Sequence, residues 1–425
     1  AHCLAIGTHY AAGGVWAKAV AFLRRAGSAA ADRSAYREAA ASFERAMAAL
    51  EHWPPGRATT EQAIDLRGDL ARAYLPLGRH RERLALRQEA ERLAVAIGDP
   101  TRLGWAHLGM AGVLRYLLES DRAIAYGEWA IAAAQALGDR ALRINASYTL
   151  GLTHLEAGHR DLAIELFRTV ATLIAQDASA HPGTRGPYAH LRPAALAWLG
   201  TALAEVGRFP EAVAHAEEAV RLTADTRPHD VLRALHCLGM VHYHQGNTVA
   251  ARPLFEREVA LAESTDNQDW LAAAYAGLGR TLARSGRGEE GIFLMERSIA
   301  VEIAGTGVVG AHRIRQLGEA YLAAGRVEEA LARGLEALDR ARGQDRQQWE
   351  EAPTLALLGA ALMAREPPDP AGAEAHYLEA LAGATRLGLR PLAARCDLGL
   401  GRLYRWRGAS DRAREHLERA LGSSR

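Results

Sequence analysis

The sequence predicts an all-α fold, a solenoid of antiparallel helix pairs that repeat about every 40 residues. A Leu-Gly pair or its equivalent recurs along the chain, followed seven residues later by a turn glycine and five residues after that by an alanine. Alanine and leucine dominate, whereas valine and isoleucine occur singly inside helical patterns, so no strand is expected. The clearest copies are Leu150-Gly151 with Gly158 and Ala163, Leu199-Gly200 with Gly207 and Ala212, Leu238-Gly239 with Gly246 and Ala251, Leu317-Gly318 with Gly325 and Ala330, and Leu400-Gly401 with Gly408 and Ala413.

Each predicted pair joins a first helix that carries the Leu-Gly pair to a second helix with an apolar stripe. Glycine has no Cβ, so the second helix can approach closely at that point. Ala163, Phe167 and Val170 form the stripe in one unit. Large side chains are expected at equivalent places in other units, namely Phe167, Phe255, Met295, Tyr377 and Leu417. The turn positions, where left-handed backbone would end the first helix, are Gly78, Leu118, Gly158, Gly207, Gly246, Gly286, Gly325 and Gly408.

The repeat leaves no room for a second type of domain. Residues 1–425 are therefore expected to form a single solenoid of roughly ten helical hairpins. Two stretches interrupt the rhythm: residues 176–190 are expected to form a long loop, and residues 365–372 an irregular proline-rich turn. The chain starts without an initiator methionine, and we expect it to be part of a longer protein.

Charge, apolar runs and cysteine content argue against nucleic-acid binding, a membrane span and a disulfide framework. The formal net charge is +1, so the chain as a whole is not expected to bind nucleic acid electrostatically. No apolar run approaches the roughly 18 residues that a membrane span requires. Three scattered cysteines are too few for a disulfide framework, which favours a reducing cytoplasm.

The residue patterns of catalytic and cofactor sites are missing or misplaced. A Walker A motif needs a lysine after glycine, and Lys18 lies between two alanines. Residues 305–310 spell a dinucleotide-binding fingerprint but follow a predicted helix instead of a strand. His236 and His244, near Cys237, are eight residues apart. That spacing separates them by roughly 12 Å along a helix, too far for shared zinc ligation. We therefore expect no catalytic residue, cofactor or metal.

The recurrence of small, large and turn positions in phase resembles the tetratricopeptide repeat. The resemblance implies a right-handed superhelix whose first helices line a concave binding face. The positions assigned to that face are Trp105, Arg115, Tyr116, Asn145, Tyr148, Arg233, His236, Tyr243, His244, Arg280, Arg284, His312 and Arg315. From Arg233 to Arg315 the face is basic and aromatic, which suits an acidic peptide or a C-terminal carboxylate. The alternative is that these arginines merely solvate exposed helices.

Further segments extend the likeness beyond the repeat itself. They are residues 34–39, 49–54, 61–67, 75–78, 98–99, 103–105, 373–377 and 398–404. Together they resemble the C-terminal repeat region of bacterial proteins in which a class III adenylate or guanylate cyclase domain precedes a signalling ATPase domain. The resemblance implies a non-catalytic regulatory or sensor arm that docks a protein partner or the parent's own ATPase domain.

Three alternatives remain open. In the first, the chain is a small-molecule sensor that binds an effector inside the superhelix. In the second, it is the repeat arm of an ATPase-type transcriptional regulator. In the third, it provides a surface for self-assembly.

Overall fold

The computed structural model describes residues 2–180, 191–343 and 348–422. Within these ranges the chain forms 21 α-helices and one short 3₁₀ turn, Gln348–Glu350, and contains no strand. The predicted all-α repeat fold is confirmed. The helices are α1 His2–Ala12, α2 Trp16–Asp32, α3 Tyr36–Leu50, α4 Arg57–Tyr74, α5 His80–Ile97, α6 Pro100–Tyr116, α7 Ser120–Leu137, α8 Arg140–Glu156, α9 Arg160–Ala180, α10 Leu191–Glu205, α11 Phe209–Thr223, α12 Pro228–His244, α13 Thr248–Ser264, α14 Gln268–Arg284, α15 Gly288–Thr306, α16 Ala311–Ala323, α17 Val327–Arg342, α18 Glu351–Ala364, α19 Pro370–Arg386, α20 Arg390–Trp406 and α21 Ser410–Gly422.

The contacts between residues define two compact units. Unit 1 contains the chain up to Thr153 together with Thr265–Asp269 and Ala304–Gly307. Unit 2 contains His154–Ser264, Trp270–Ile303 and the chain from Val308 onward. Within each unit, an even-numbered helix packs against the odd-numbered helix that follows it. These pairs are α2–α3, α4–α5 and α6–α7 in unit 1, and α10–α11, α12–α13, α16–α17, α18–α19 and α20–α21 in unit 2. The single continuous solenoid over residues 1–425 stays a prediction.

The predicted turn positions end the first helices as the glycine pattern indicates. In the repeat formed by α10 and α11, the Gly207 amide donates to the Ala204 carbonyl at 3.0 Å, and the Arg208 amide donates to the Leu203 carbonyl at 2.8 Å. These bonds satisfy carbonyls at the helix end and require left-handed backbone at the turn residue. All eight predicted positions adopt it: Gly78, Leu118, Gly158, Gly207, Gly246, Gly286, Gly325 and Gly408, with φ between 62° and 89°.

Large side chains of the second helices fill slots that glycines leave between successive first helices. The ring of Phe255 on α13 lies against Gly239 on α12 and Gly277 on α14. A Cβ at Gly239 would lie 2.8 Å from a Phe255 ring carbon, and a Cβ at Gly277 only 2.4 Å. Phe255 is fully buried. The predicted exchange of small and large residues between paired helices is therefore present in this repeat.

Leu118 is the exception among the turn residues, because a leucine adopts left-handed backbone there, with φ of 62°. This conformation costs an L-residue about 1–2 kcal/mol, whereas glycine adopts it without a clash. We expect Leu118→Gly to raise the free energy of unfolding by about 0.5–1 kcal/mol after the entropy of glycine is counted. Gly408→Ala is the matched control, since a Cβ there meets nothing within 4 Å and φ is 77°. Urea unfolding should show opposite signs for the two variants, and destabilisation by both would contradict the argument.

Helices occupy part of each of the two predicted interruptions. Helix α9 continues to Ala180, so residues 176–180 are helical and the predicted loop began too early; 181–190 lie outside the described residues. The first five residues of that stretch contain no glycine or proline to stop the helix. In the second stretch Pro370 already begins α19. Asp369 caps that helix by accepting the Gly372 amide at 2.9 Å, and proline is tolerated in a first turn, so the irregular turn is confined to 365–369.

Among the described residues, no helix has both the length and the apolar character that crossing a membrane would require.

Candidate binding groove

The predicted groove residues fall in both units. In unit 1, Trp105 is partly exposed, and its indole Nε1 donates to the Asp139 carboxylate at 3.2 Å. The Asn145 amide donates to the Ala141 carbonyl within its own helix. Tyr148 is half-buried. These three side chains lie on α6 and α8.

Arg115 and Tyr116 belong to a denser cluster in unit 1. The Tyr116 ring stacks on His80 with 4.5 Å between centroids, and the Arg115 guanidinium lies 4.2 Å from the Tyr116 ring centre. Arg83 lies 5.3 Å from the same ring. Burial, with Arg83 and Arg115, lowers the pKa of His80 to about 3, so this imidazole is neutral at physiological pH.

In unit 2, two arginines of α14 lie close to the ring of one tyrosine of α12. The guanidinium carbons of Arg280 and Arg284 lie 4.3 and 4.7 Å from the centre of the Tyr243 ring. Arg284 also donates to the Tyr243 carbonyl at 3.3 Å. The two arginines are one turn apart and therefore lie on the same helix face. Neither forms an ion pair with a carboxylate in the part of the chain that the structure describes.

Two buried nitrogen atoms at Arg280 and the neighbouring His244 lack hydrogen-bond partners among the described residues. His244 Nε2 and Arg280 Nε are shielded from solvent and have no hydrogen-bond partner among the described residues. Burial, aided by Arg280, Arg284 and Arg395 and opposed by Glu205, lowers the pKa of His244 to about 4. The neutral ring has one donor nitrogen and one acceptor nitrogen at neutral pH. We define the unit 2 groove by Tyr243, His244, Arg280, Arg284 and Arg395.

A buried ion network lies beside the groove. The Arg315 guanidinium donates to Glu350 at 2.6 Å and pairs with Glu319 at 2.9 Å. Its side chain is 9% exposed, and that of Glu350 only 1%. Burial lowers the pKa of Arg315, but the two carboxylates outweigh it and raise that pKa overall. Arg315 therefore has a structural role, and its charge is neutralised by Glu350 and Glu319.

Glu319 also faces the groove arginines. Burial alone would raise the pKa of its carboxyl, but Arg315, Arg395, Arg280 and Arg284 together lower it to about 2. Arg395 donates to Glu319 at 3.5 Å, and its own side chain is 57% exposed. The groove thus contains one firmly ionised carboxylate among several cations.

The other predicted groove residues in unit 2 are Arg233, His236 and His312, and each interacts with charged side chains nearby. Arg233 pairs with Asp230 at 3.2 Å, and His236 Nδ1 lies 3.1 Å from the fully buried carboxylate of Glu258. Burial raises the pKa of Glu258, and His236 opposes that rise. For His312, burial and the cations Arg313, Arg315 and Arg280 lower the pKa well below its ordinary value. The structure therefore brings Tyr243, His244, Arg280 and Arg284 together, and it engages Arg233, His236 and Arg315 in internal pairs.

Sequence reasoning missed two carboxylates that shape this region. Glu205 occurs five residues after the glycine of its Leu-Gly pair, as do His244 and Arg284. The alignment of the repeats therefore indicated that Glu205 lies on the same face. Glu350 lies in the 3₁₀ turn before α18, outside the repeat pattern, and no signal in the sequence identifies it.

Within the described ranges, no group of three or more histidine, cysteine, aspartate or glutamate residues is arranged to hold a metal ion. The fingerprint at 305–310 lies at the end of α15 and in the connection to α16, and no strand precedes it. The geometry needed for a dinucleotide phosphate site, a glycine-rich turn between strand and helix, is therefore not formed there.

Comparison with known proteins supports the repeat assignment. Residues 230–301 match the family model of the tetratricopeptide repeat. The match runs from α12 into α15 and so includes Tyr243, Arg280 and Arg284. No curated protein matches the chain.

Several solved structures share the fold at low sequence identity. A Rap protein in complex with competence and sporulation factor has a TM-score of 0.54 at 13% identity, covering 94% of this chain and 99% of that one. The Rap conjugation gene regulator of plasmid pLS20, in a peptide complex, has a TM-score of 0.53 at 14% identity, covering 86% and 94%. The apo quorum sensor NprR from B. thuringiensis has a TM-score of 0.51 at 13% identity, covering 86% and 99%.

Proposed function

We propose that this chain is a non-catalytic scaffold that binds an acidic peptide segment of a partner protein in the unit 2 groove. One observation carries the proposal: Arg280 and Arg284 both lie against the Tyr243 ring, and neither forms an ion pair with a carboxylate among the described residues. The ring holds both guanidinium groups in place, so binding an acid group would cost little side-chain entropy. Charge-assisted bonds of this kind contribute about 1.5–3 kcal/mol each.

The surrounding charges favour a ligand with one acid group over a polyanion. Glu319 is ionised and interacts with the same arginines, and Glu205 lies close enough to His244 to influence its pKa. A long acidic run would meet both carboxylates and be repelled. A C-terminal carboxylate or a single acidic side chain would contact the arginines without that cost. The solvent-shielded His244 Nε2 then offers a further polar contact.

The structural neighbours support peptide recognition as the general class of function. Two of the solved neighbours are described in complex with a peptide or with competence and sporulation factor. At 13–14% identity they share the fold of this chain, and the ligand proposed here rests on the groove's own residues.

We also propose that the chain is the regulatory arm of a bacterial cytoplasmic signalling protein of the cyclase–ATPase type. This part of the proposal rests on the segment resemblance. The peptide bound in the groove then belongs either to a separate partner or to the parent's own ATPase domain.

The test is a fluorescence anisotropy titration with peptides that differ only in their acid groups. Each sequence is made with a free C-terminal carboxylate, with an amidated end, and with its acidic side chains replaced by amides. We expect the doubly substituted Arg280→Ser/Arg284→Ser protein to bind the acidic form at least about tenfold more weakly. Arg315 is left intact, because its substitution would disrupt the buried ion network.

The matched control is Arg252→Ser/Arg257→Ser, which removes two exposed arginines of α13 outside the groove. This variant should bind like the unmodified protein. Equal affinity of the groove variant and the unmodified protein would contradict the proposal, and so would equal binding of acidic and neutral peptides.

A further inference from the structure

One position of the repeat places a second-helix side chain in a slot between two glycines of neighbouring first helices. Phe255 lies between Gly239 and Gly277 in this way. It occurs nine residues after the turn glycine Gly246. An apolar ring fits such a slot, because glycines leave room and no polar partner is available there.

In unit 1 the same position is occupied by an arginine. Arg87 on α5 occurs nine residues after the turn glycine Gly78. Its side chain lies against Gly109 on α6, where a Cβ would be 2.6 Å from its Cδ and 2.7 Å from its Nε and Cζ. Its terminal nitrogen Nη1 is 3.6 Å from the Cβ position of Gly68 on α4. A charged group therefore occupies a core position of the repeat.

The Arg87 guanidinium forms no ion pair with a carboxylate in the described part of the chain. Its Nε is shielded from solvent and has no hydrogen-bond partner among the described residues. Its one hydrogen bond there is a long one, from Nη2 to the Gly68 carbonyl at 3.5 Å. The nearby carboxylate of Asp69 is already engaged, because it accepts from Arg24 at 2.6 Å and also pairs with Arg72.

The surroundings of Arg87 add positive charge. Burial, together with Arg72 and Arg83, lowers the pKa of Arg87 to about 9, and Asp69 only partly opposes this. The guanidinium is still charged at neutral pH. His80, on the same helix, stays neutral because burial, Arg83 and Arg115 lower its pKa. A desolvated cation beside other cations destabilises the folded state unless an anion joins it.

We propose that Arg87, whose side chain lies in the slot between Gly68 and Gly109, binds a carboxylate or phosphate group of a small ligand. Arg87 is partly exposed as a residue although its Nε is shielded from solvent, so the ligand would approach from the exposed side. A planar guanidinium binds either oxyanion through two parallel hydrogen bonds. The site lies in unit 1 and does not depend on the groove proposed in unit 2.

The experiment compares the thermal unfolding of the whole chain with that of its Arg87→Met variant. Both are titrated with sodium phosphate and, separately, with sodium acetate, against sodium chloride at equal ionic strength. We expect at least one oxyanion to raise the Tm of the unmodified protein in a saturable manner and this increase to be lost in Arg87→Met. Without oxyanion, the variant should unfold at the same temperature or higher, because methionine fills the slot without charge.

Arg92→Met is the matched control. Arg92 lies on the same helix, is exposed and pairs with Glu89, so this variant should keep the full oxyanion response. A response to phosphate alone would identify a phosphate-bearing ligand, and a response to acetate alone a carboxylate. An equal increase in Tm for Arg87→Met and the unmodified protein would overturn the proposal, and so would the absence of any response in the unmodified protein.

Discussion

Replacing Arg315 with methionine should lower the free energy of unfolding by about 3–5 kcal/mol. The Arg315 side chain is almost fully buried and binds Glu350 and Glu319 at 2.6 and 2.9 Å. Methionine would leave the buried Glu350 carboxylate without its cation, and an unpaired buried charge is among the most costly defects in a protein interior. Urea unfolding followed by circular dichroism measures the effect.

The control for this prediction is the double variant Arg315→Met/Glu350→Met. Replacing Glu350 as well removes the most deeply buried unpaired carboxylate, and Glu319 keeps Arg395 as a partner, so the double variant should recover most of the lost stability. A loss below about 1 kcal/mol in the single variant would show that this ion pair contributes little.

The same network determines how stability depends on pH. The pKa of Glu319 is lowered from 4.5 to about 2 in the folded protein. A group with a depressed folded pKa contributes stability that is complete above its unfolded pKa and is lost as pH falls through the folded value. Stability should therefore decline between about pH 4.5 and pH 2. The decline should be shallower in Arg315→Met, which lacks the cation with the largest effect on the Glu319 carboxyl.

Substituting alanine for Gly277 should destabilise unit 2 by about 2–3 kcal/mol. The new Cβ would lie 2.4–2.5 Å from two ring carbons of Phe255, which is fully buried and has no space to move into. Either the ring must leave its rotamer or helices α13 and α14 must separate. Thermal or urea unfolding reports the loss.

Gly112→Ala is the matched substitution. Gly112 also lies within a first helix, but a Cβ there meets only Thr149 at 4.0 Å. Without a clash, glycine to alanine in a helix interior stabilises by about 0.5–1 kcal/mol. The two variants should therefore change stability in opposite directions, and a neutral Gly277→Ala would contradict the packing described for Phe255.

The repeat geometry was predictable because its signals are local. Left-handed turns need glycine, and the recurrence of glycine at one spacing located the turns that the structure forms. Even Leu118, where glycine is absent, takes the left-handed conformation, since the helices on either side impose it. The glycine opposite Phe255 followed from the same small-and-large pattern.

The partners of charged side chains were less predictable. The tetratricopeptide resemblance assigned Arg280, Arg284 and Tyr243 to one face, but it also assigned Arg315 to that face as an available cation. The structure shows that Glu350, from a segment outside the repeat, neutralises Arg315. Arg315 and Glu350 are 35 positions apart and meet only through tertiary packing. Spacing within one helix therefore could not predict this ion pair.

Arg87 illustrates a signal that was present and not used. Its position after Gly78 matches that of Phe255 after Gly246, so the alignment of repeats already contained a charged residue at an apolar position. A residue that departs from the local pattern in this way often has a functional role. The missing counterion became evident only from the three-dimensional surroundings.

The central claim is that the first-helix face of unit 2 binds the partner, and hydrogen–deuterium exchange with and without the tightest-binding acidic peptide tests it most directly. We predict that the peptide slows exchange in the segments around Tyr243–His244 and Arg280–Arg284, where α12 and α14 end. Protection confined to the second helices α13 and α15, with those two segments unchanged, would contradict it.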